Sequence, residues 1–265
     1  MRIDGLDPFD PASSSFSALL RRQAPDALEA LAVRPDPGAV PHIEGTTVLA
    51  LTYDGGVVMA GDRRATSGNV ISKRDMRKVF EADGWSAVAI SGAAGPAMEL
   101  AKIFATELEH YEKVEGFPLS LEGKANKLAQ MVRANLPMAM QGLVVVPLFA
   151  GYDPRGQIAR IYEFDAAGGR YEERRFATTG SGGRDARGSL KARYRPELGR
   201  DEAVAIAIEA LWDAADEDAA TGGPDVVRGI YPLVALIDGE GYRELPDEDV
   251  AERVEETIAA RRRRL

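Results

Sequence analysis

Runs of strands alternate with pairs of helices along this chain, and that order limits its fold more than any other feature. Thr46 to Tyr53 is β-rich, Asp54-Gly55-Gly56 makes a turn, and Val57 to Gly61 reads as the returning strand. Met76 to Phe80 reads as extended, Asp83-Gly84 as a turn and Trp85 to Ser91 as a strand. Two helices follow. The first opens with Pro96 in its first turn and carries Met98, Phe104, Leu108 and Tyr111 at helical spacing as far as Glu115. Ser120 caps the second, which ends about Asn135, ahead of Pro137. Strands return at Leu143 to Tyr152, Ile158 to Phe164 and Tyr171 to Thr178, then helices at Arg184 to Tyr194 and Asp201 to Asp216. A hairpin, Ile230 to Ile237 and Tyr242 to Leu245, precedes a last helix from Pro246. Elements grouped in this way argue for an α+β fold with antiparallel sheets, not for alternating parallel units. Two sheets covered by helices is one stacking that the order permits.

Residues 1–45 stand apart from this pattern. They hold six prolines and the run Ser13-Ser14-Ser15, with little periodicity beyond a helix-like patch from Phe16 to Ala32. Such a stretch is either a removable pro-segment or a plain arm. The division expected is therefore 1–45 and 46–265. Composition narrows the chemistry of the remainder. There is no cysteine, which excludes disulfides, thiolate zinc sites and a cysteine nucleophile. The two histidines, His42 and His110, are far apart, so neither a multi-histidine metal site nor an imidazole base is expected. A net charge of −9 argues against a nucleic-acid surface. The longest apolar run, Leu143 to Ala150, contains Pro147 and is well short of the ~20 residues that cross a bilayer. Asp4, Asp7 and Asp10 do not suit a secretory signal. A soluble, cytoplasmic protein without a thiolate or multi-histidine metal site is the expectation.

With thiol and imidazole excluded, Gly45-Thr46-Thr47 becomes informative. A threonine hydroxyl needs a base to act as a nucleophile. Were Thr46 a new N-terminus, its own α-amine could be that base. Gly45 allows the Gly45–Thr46 bond an unusual geometry. The competing reading is a β-branched strand start after a flexible arm. Asp62 lies in Gly61-Asp62-Arg63-Arg64, and Lys78 in Met76-Arg77-Lys78-Val79-Phe80. A buried lysine beside an amine and a hydroxyl would lower the pKa of both, and Asp62 could offset its desolvation. A period of two would put Met76, Lys78 and Phe80 on one strand face; a surface lysine in a basic run is the alternative. Ser91-Gly92-Ala93-Ala94-Gly95 leads into the first helix, a junction whose N–H groups could hold an oxyanion or simply form a turn. Gly180-Ser181-Gly182-Gly183 lacks the third glycine of a dinucleotide loop, whose place Asp185 occupies.

Taken in order, Gly-Thr-Thr-Val at 45–48, Gly-Asp-Arg-Arg at 61–64, Lys78, Ser91-Gly92, Gly180-Ser181-Gly182 and Asp218-Ala-Ala-Thr221-Gly222-Gly223 resemble the proteasome β-subunit family, in its bacterial, actinobacterial form. The resemblance covers about Thr46 to Leu245 and the length of the leader. It implies the four-layer αββα sandwich of N-terminal nucleophile hydrolases. It implies autocatalytic cleavage between Gly45 and Thr46, with Thr46 as nucleophile and Asp62 and Lys78 as the charge pair that tunes it. Gly92 would donate the oxyanion N–H, and Ser181, Asp218 and Thr221 would surround the terminal amine. Thr221 stands where the family often has serine, and the hydroxyl is retained. Ala65, Met76, Phe80, Ile90, Ala94 and Met98 would line the specificity pocket, whose apolar character implies cleavage after large hydrophobic residues. Thr66 and Ala94 would hold the peptide main chain as an added strand. The implied partners are a homo-heptameric β ring stacked with α-subunit rings, an ATPase that delivers tagged substrates, and unfolded polypeptide. A catalytically silent ring subunit, or another N-terminal nucleophile amidohydrolase, are the alternatives. Arg261 to Arg264 reads as a solvated helix end, His110 as a packing or capping residue, and Ile208, Leu211 and Trp212 as a core stripe.

Overall fold

The computed structural model describes residues 45–263. The helix-like patch at Phe16 to Ala32 and Arg264 lie outside the described residues. The strands are β1 (Thr47–Tyr53), β2 (Gly56–Gly61), β3 (Ala65–Ser67), β4 (Val70–Lys73), β5 (Val79–Asp83), β6 (Ser86–Gly92), β7 (Val145–Asp153), β8 (Ile158–Phe164), β9 (Arg170–Glu173), β10 (Phe176–Gly180), β11 (Leu233–Asp238) and β12 (Gly241–Glu244). The helices are α1 (Ala94–Glu115), α2 (Leu121–Ala134), α3 (Leu136–Ala139), α4 (Gly183–Arg193), α5 (Arg200–Glu217) and α6 (Asp247–Arg262). One antiparallel sheet runs β10-β1-β2-β11-β12 and a second runs β5-β6-β7-β8-β9, with β3-β4 a separate small hairpin.

Strand alternation assigns the layers. Along β1, Val48 and Ala50 face the other sheet, while Leu49, Leu51 and Tyr53 face the helices. β2 and β11 repeat the division: Met59 and Ala235 point between the sheets, Val58 and Leu236 outward. In the second sheet Ala87 and Ala89 point inward, whereas Val88 and Ile90 pack under α1 and α2. Three apolar layers therefore alternate with four backbone layers: α4, α5 and α6, the first sheet, the second sheet, then α1 and α2. This is the αββα sandwich. Strands buried on both faces read as unbroken apolar runs, which is why they stand out in the sequence.

Three expectations change. The segment Tyr171 to Thr178 is not one strand. Its first part, β9, is the edge of the second sheet, and its second part, β10, is the edge of the first. The exposed charges of Arg174 and Arg175 sit at the break, where a buried continuous strand could not hold them. Strand β5 starts at Val79 and not at Met76, because the Met76 N–H donates to the Arg63 carbonyl and draws the chain toward the end of β2. Alternation therefore does not extend to Met76 and Lys78. Arg261 is no solvated helix end: it pairs with Asp213 and lies over the Trp212 ring, 5.2 Å from its centroid. His110 lies exposed on α1.

Candidate active site

One end of the sandwich collects the ends of several strands. In the first sheet, Thr47 pairs with Gly180, Val48 with Gly61, and Gly61 with Leu233. In the second sheet Gly92 pairs with Val145, and the Ile90 N–H donates to the Lys78 carbonyl. Thr46, Asp62 and Ser181 each follow or precede a strand end of the first sheet, and Lys78 and Gly92 belong to the second. The two halves of the site thus come from different sheets.

Asp62 is the hub of the first cluster and is fully buried. Its Oδ1 accepts the Lys78 ammonium at 2.6 Å and the Thr47 N–H at 2.8 Å. Its Oδ2 accepts the N–H of Arg64 at 2.9 Å and of Gly222 at 2.8 Å. Four donors satisfy a carboxylate that would otherwise be costly to bury. Lys78 is equally buried. Besides Asp62, its Nζ donates to the carbonyls of Arg64 and, at 3.4 Å, of Gly45. Burial lowers the Lys78 pKa from the ordinary lysine value, and Asp62 opposes that shift. Three acceptors for three N–H bonds are what an ammonium requires.

A second cluster surrounds the Thr46 nitrogen. That nitrogen donates to Ser181 Oγ at 3.3 Å, and the Thr46 carbonyl accepts from the Ser181 N–H at 2.8 Å. Ser181 Oγ donates to Asp218 Oδ2 at 2.5 Å, and Thr221 Oγ1 donates to the same oxygen at 2.6 Å. Burial pushes the Asp218 pKa up, but the bonds from Ser181 and Thr221 outweigh it and hold the carboxyl below its usual value. Gly180 and Gly182 explain the glycine-rich run. Gly180 has φ +100°, and a Cβ there would stand 1.9 Å from the Thr46 carbonyl oxygen. A Cβ on Gly182 would stand 2.5 Å from Thr47 Oγ1. These glycines let backbone close around Thr46 and Thr47.

Gly92 ends β6 with φ +98°, and a Cβ on it would meet the Val144 carbonyl oxygen at 2.0 Å. Gly45 is joined to Thr46 and gives its N–H to Thr66 Oγ1 at 3.0 Å. A Cβ on Gly45 would overlap Ala220 at 1.8 Å. The residues expected to line a pocket are less closely gathered. Phe80 and Ile90 pack in the layer beneath α1 and α2. Ala65 and Met76 are buried outside that layer, Ala94 opens α1, and Met98 on its next turn is exposed.

The sequence model of the family described as "Proteasome subunit" matches residues 43–228. A protein named Proteasome subunit beta from Acidothermus cellulolyticus is 55% identical, the match covering 96% of this chain and 90% of that one. The protein of the same name from Acidimicrobium ferrooxidans is 54% identical over 98% of both. That from Streptomyces griseus is 54% identical over 91% of this chain and 86% of its own. The chain belongs to the proteasome β-subunit family.

Sequence reasoning did not single out four participants in this proteasome β-type site: the Thr47 hydroxyl, the Arg64 carbonyl, and the N–H groups of Gly182 and Gly222. Three are backbone groups, which no residue-type argument can find. Thr47 had a signal: adjacent residues at a strand start point to opposite faces, so two threonines there serve two environments.

Proposed function

We propose that this chain is the proteolytic β subunit of a proteasome core: a threonine endopeptidase made as a precursor. Residues 1–45 are the pro-segment and 46–265 the mature enzyme. The observation that carries this reading is the convergence on Gly45–Thr46 of a buried Lys78–Asp62 pair and the Ser181–Asp218–Thr221 network.

Thr46 Oγ1 attacks the Gly45 carbonyl in processing and a substrate carbonyl afterwards. Lys78 supports both steps by placing positive charge where the hydroxyl loses its proton. Cleavage turns the Thr46 amide nitrogen into an amine. That nitrogen already sits against Ser181, so the base is created in place and needs no later rearrangement. The amine takes the hydroxyl proton, an acyl ester forms, and water hydrolyses it with the same amine as base. Gly92 N–H holds the oxyanion; its φ excludes other residues, which supports a backbone role. Apolar side chains at Ala65, Met76, Phe80, Ile90, Ala94 and Met98 favour large hydrophobic residues at the cleavage site, and the main chains of Thr66 and Ala94 align the substrate. The reaction needs no cofactor. The partners proposed are seven-membered β rings stacked on α rings, an ATPase that feeds tagged, unfolded polypeptide, and a cytoplasmic setting.

Intact mass after co-production with an α-type partner tests processing: loss of residues 1–45 is expected, and an assembled chain that keeps its full length overturns it. Thr46→Ala should keep the leader and lose hydrolysis of a hydrophobic fluorogenic peptide by at least about 10³-fold. Retained hydrolysis would remove Thr46 as nucleophile. Lys78→Ala should be nearly as severe and should also destabilise the subunit by about 3–5 kcal/mol, because Asp62 is left buried and unpaired.

A further inference from the structure

We infer that Thr47 is a positioning residue whose hydroxyl and amide tie the Asp62–Lys78 pair to the Ser181–Asp218–Thr221 network, so that both hold one geometry around Thr46. The inference rests on the reading of Thr46 as nucleophile and assigns a role to the residue next to it.

Thr47 is fully buried and is the first residue of β1. Its N–H donates to Asp62 Oδ1, the same oxygen that accepts Lys78. Its Oγ1 lies 2.6 Å from Thr221 Oγ1 and accepts the Gly182 N–H at 3.0 Å. Proton counting settles the direction of the hydroxyl pair. A hydroxyl has one proton to give. Thr221 gives its proton to the Asp218 carboxylate. Thr47 must therefore donate to Thr221. Ser181 has two acceptors in reach, Asp218 at 2.5 Å and the Thr46 carbonyl at 3.4 Å, and the shorter, charge-assisted bond takes its proton. This leaves Ser181 Oγ as the acceptor for Thr46 N.

A single directed chain results: Gly182 N–H to Thr47, Thr47 to Thr221, Thr221 to Asp218, with Ser181 joining at Asp218. Hydrogen bonds in series polarise one another, so each link strengthens the next in a buried site. The charged groups around this chain are Asp62, Lys78, Arg64 and Asp218, and Thr47 contacts Asp62 directly and Asp218 through Thr221. Thr47 thus reaches one cluster through its backbone N–H and the other through its hydroxyl. Thr46 cannot do this itself, since its nitrogen and hydroxyl are used in the chemistry.

The test uses the full chain co-produced with an α-type partner and isolated as the assembled particle. Thr47→Val keeps the shape and removes the hydroxyl. Its kcat for a hydrophobic fluorogenic peptide should fall about tenfold, the effect of one buried network bond, with KM within about twofold. Thr47→Ser should recover most of that loss. Thr47→Val combined with Thr221→Val should be no slower than the worse single variant, because both cut the same chain. Additive losses, or unchanged kcat in Thr47→Val, would overturn the inference. Should Thr47→Val not assemble, Thr47→Ala carries the same expectation without overpacking. Failure of both to assemble while Thr47→Ser assembles makes the hydroxyl structural only and also overturns it. Thr46→Ala separates the two readings. If it abolishes hydrolysis while Thr47→Val does not alter it, this inference alone fails. If it leaves hydrolysis intact, the nucleophile reading fails and takes this inference with it.

Discussion

Glycine positions decide how tightly the backbone closes around Thr46, and two of them make opposite predictions. At Gly180 an alanine would combine a left-handed φ with a Cβ 1.9 Å from a carbonyl oxygen, and neither neighbour is a flexible side-chain end. Gly180→Ala should cost about 1–3 kcal/mol in chemical denaturation and should slow leader removal, because Thr46 is displaced. Gly188, inside α4, has open space where its Cβ would be. Gly188→Ala should raise stability by about 0.5–1 kcal/mol and leave hydrolysis unchanged. At this scale the sequence was informative where chemistry needs a particular side chain. Thr46, Asp62 and Lys78, singled out by residue type, and Ser181, Asp218 and Thr221, implied by the family resemblance, lie close together. It was silent about backbone donors such as the Gly222 N–H, because every residue but proline has one.

The turn between β11 and β12 shows an element held by one carboxylate. Asp238 accepts both Arg243 Nη atoms, the Glu240 N–H and, at 2.5 Å, the Tyr53 hydroxyl. Burial pushes its pKa up, but the Arg243 and Tyr53 bonds outweigh that and hold it below the usual carboxylate range. A folded-state pKa below the unfolded one contributes stability that is fully present above the unfolded value, near pH 4. That contribution is lost as pH falls through the lower, folded value. Asp238→Asn should therefore cost about 1–3 kcal/mol at pH 7, and acid titration of stability should show a smaller drop below about pH 4 than in the parent chain. An unchanged acid limb would show that Asp238 contributes nothing to it. At the scale of elements the periodic segments were legible: β1, β2, β6, β8, α1, α2 and α5 fall close to their expected places. The short β3–β4 hairpin was not, since Ala65–Ser67 is only three residues long and Val70–Lys73 is mostly exposed, so neither carries an apolar alternation. Nor was the division of β9 from β10, which depends on which sheet each strand joins.

The whole molecule matters to the site through the spacing of its two sheets. Thr46, Asp62 and Ser181 ride on the first sheet, Lys78 and Gly92 on the second, and the 2.6 Å contact between Lys78 and Asp62 bridges them. Small residues keep that spacing: Ala50, Ala87, Ala89, Ala150, Ala177 and Ala235 all face the inter-sheet layer. Ala89→Leu should push the sheets apart, costing about 1–3 kcal/mol in stability. Hydrolysis measured under native conditions should fall further than that loss alone accounts for. Ala210→Leu on α5, which packs against the outer face of the first sheet, should cost similar stability while sparing kcat. Equal effects of the two on kcat would show that sheet spacing does not govern the site. The sequence by itself determined the α+β class, the set of apolar faces, the distinct composition of residues 1–45 and the residue types that could act without thiol or imidazole. Those properties are local or compositional, set by periodicity and by what each side chain can ionise or donate. Tertiary structure alone decided that Lys78 meets Asp62, that Thr46 N meets Ser181, and that Thr47 joins the two clusters. Each of these contacts links segments 15 to 174 residues apart, and the distance between such segments is set by how the layers stack, which no local pattern encodes.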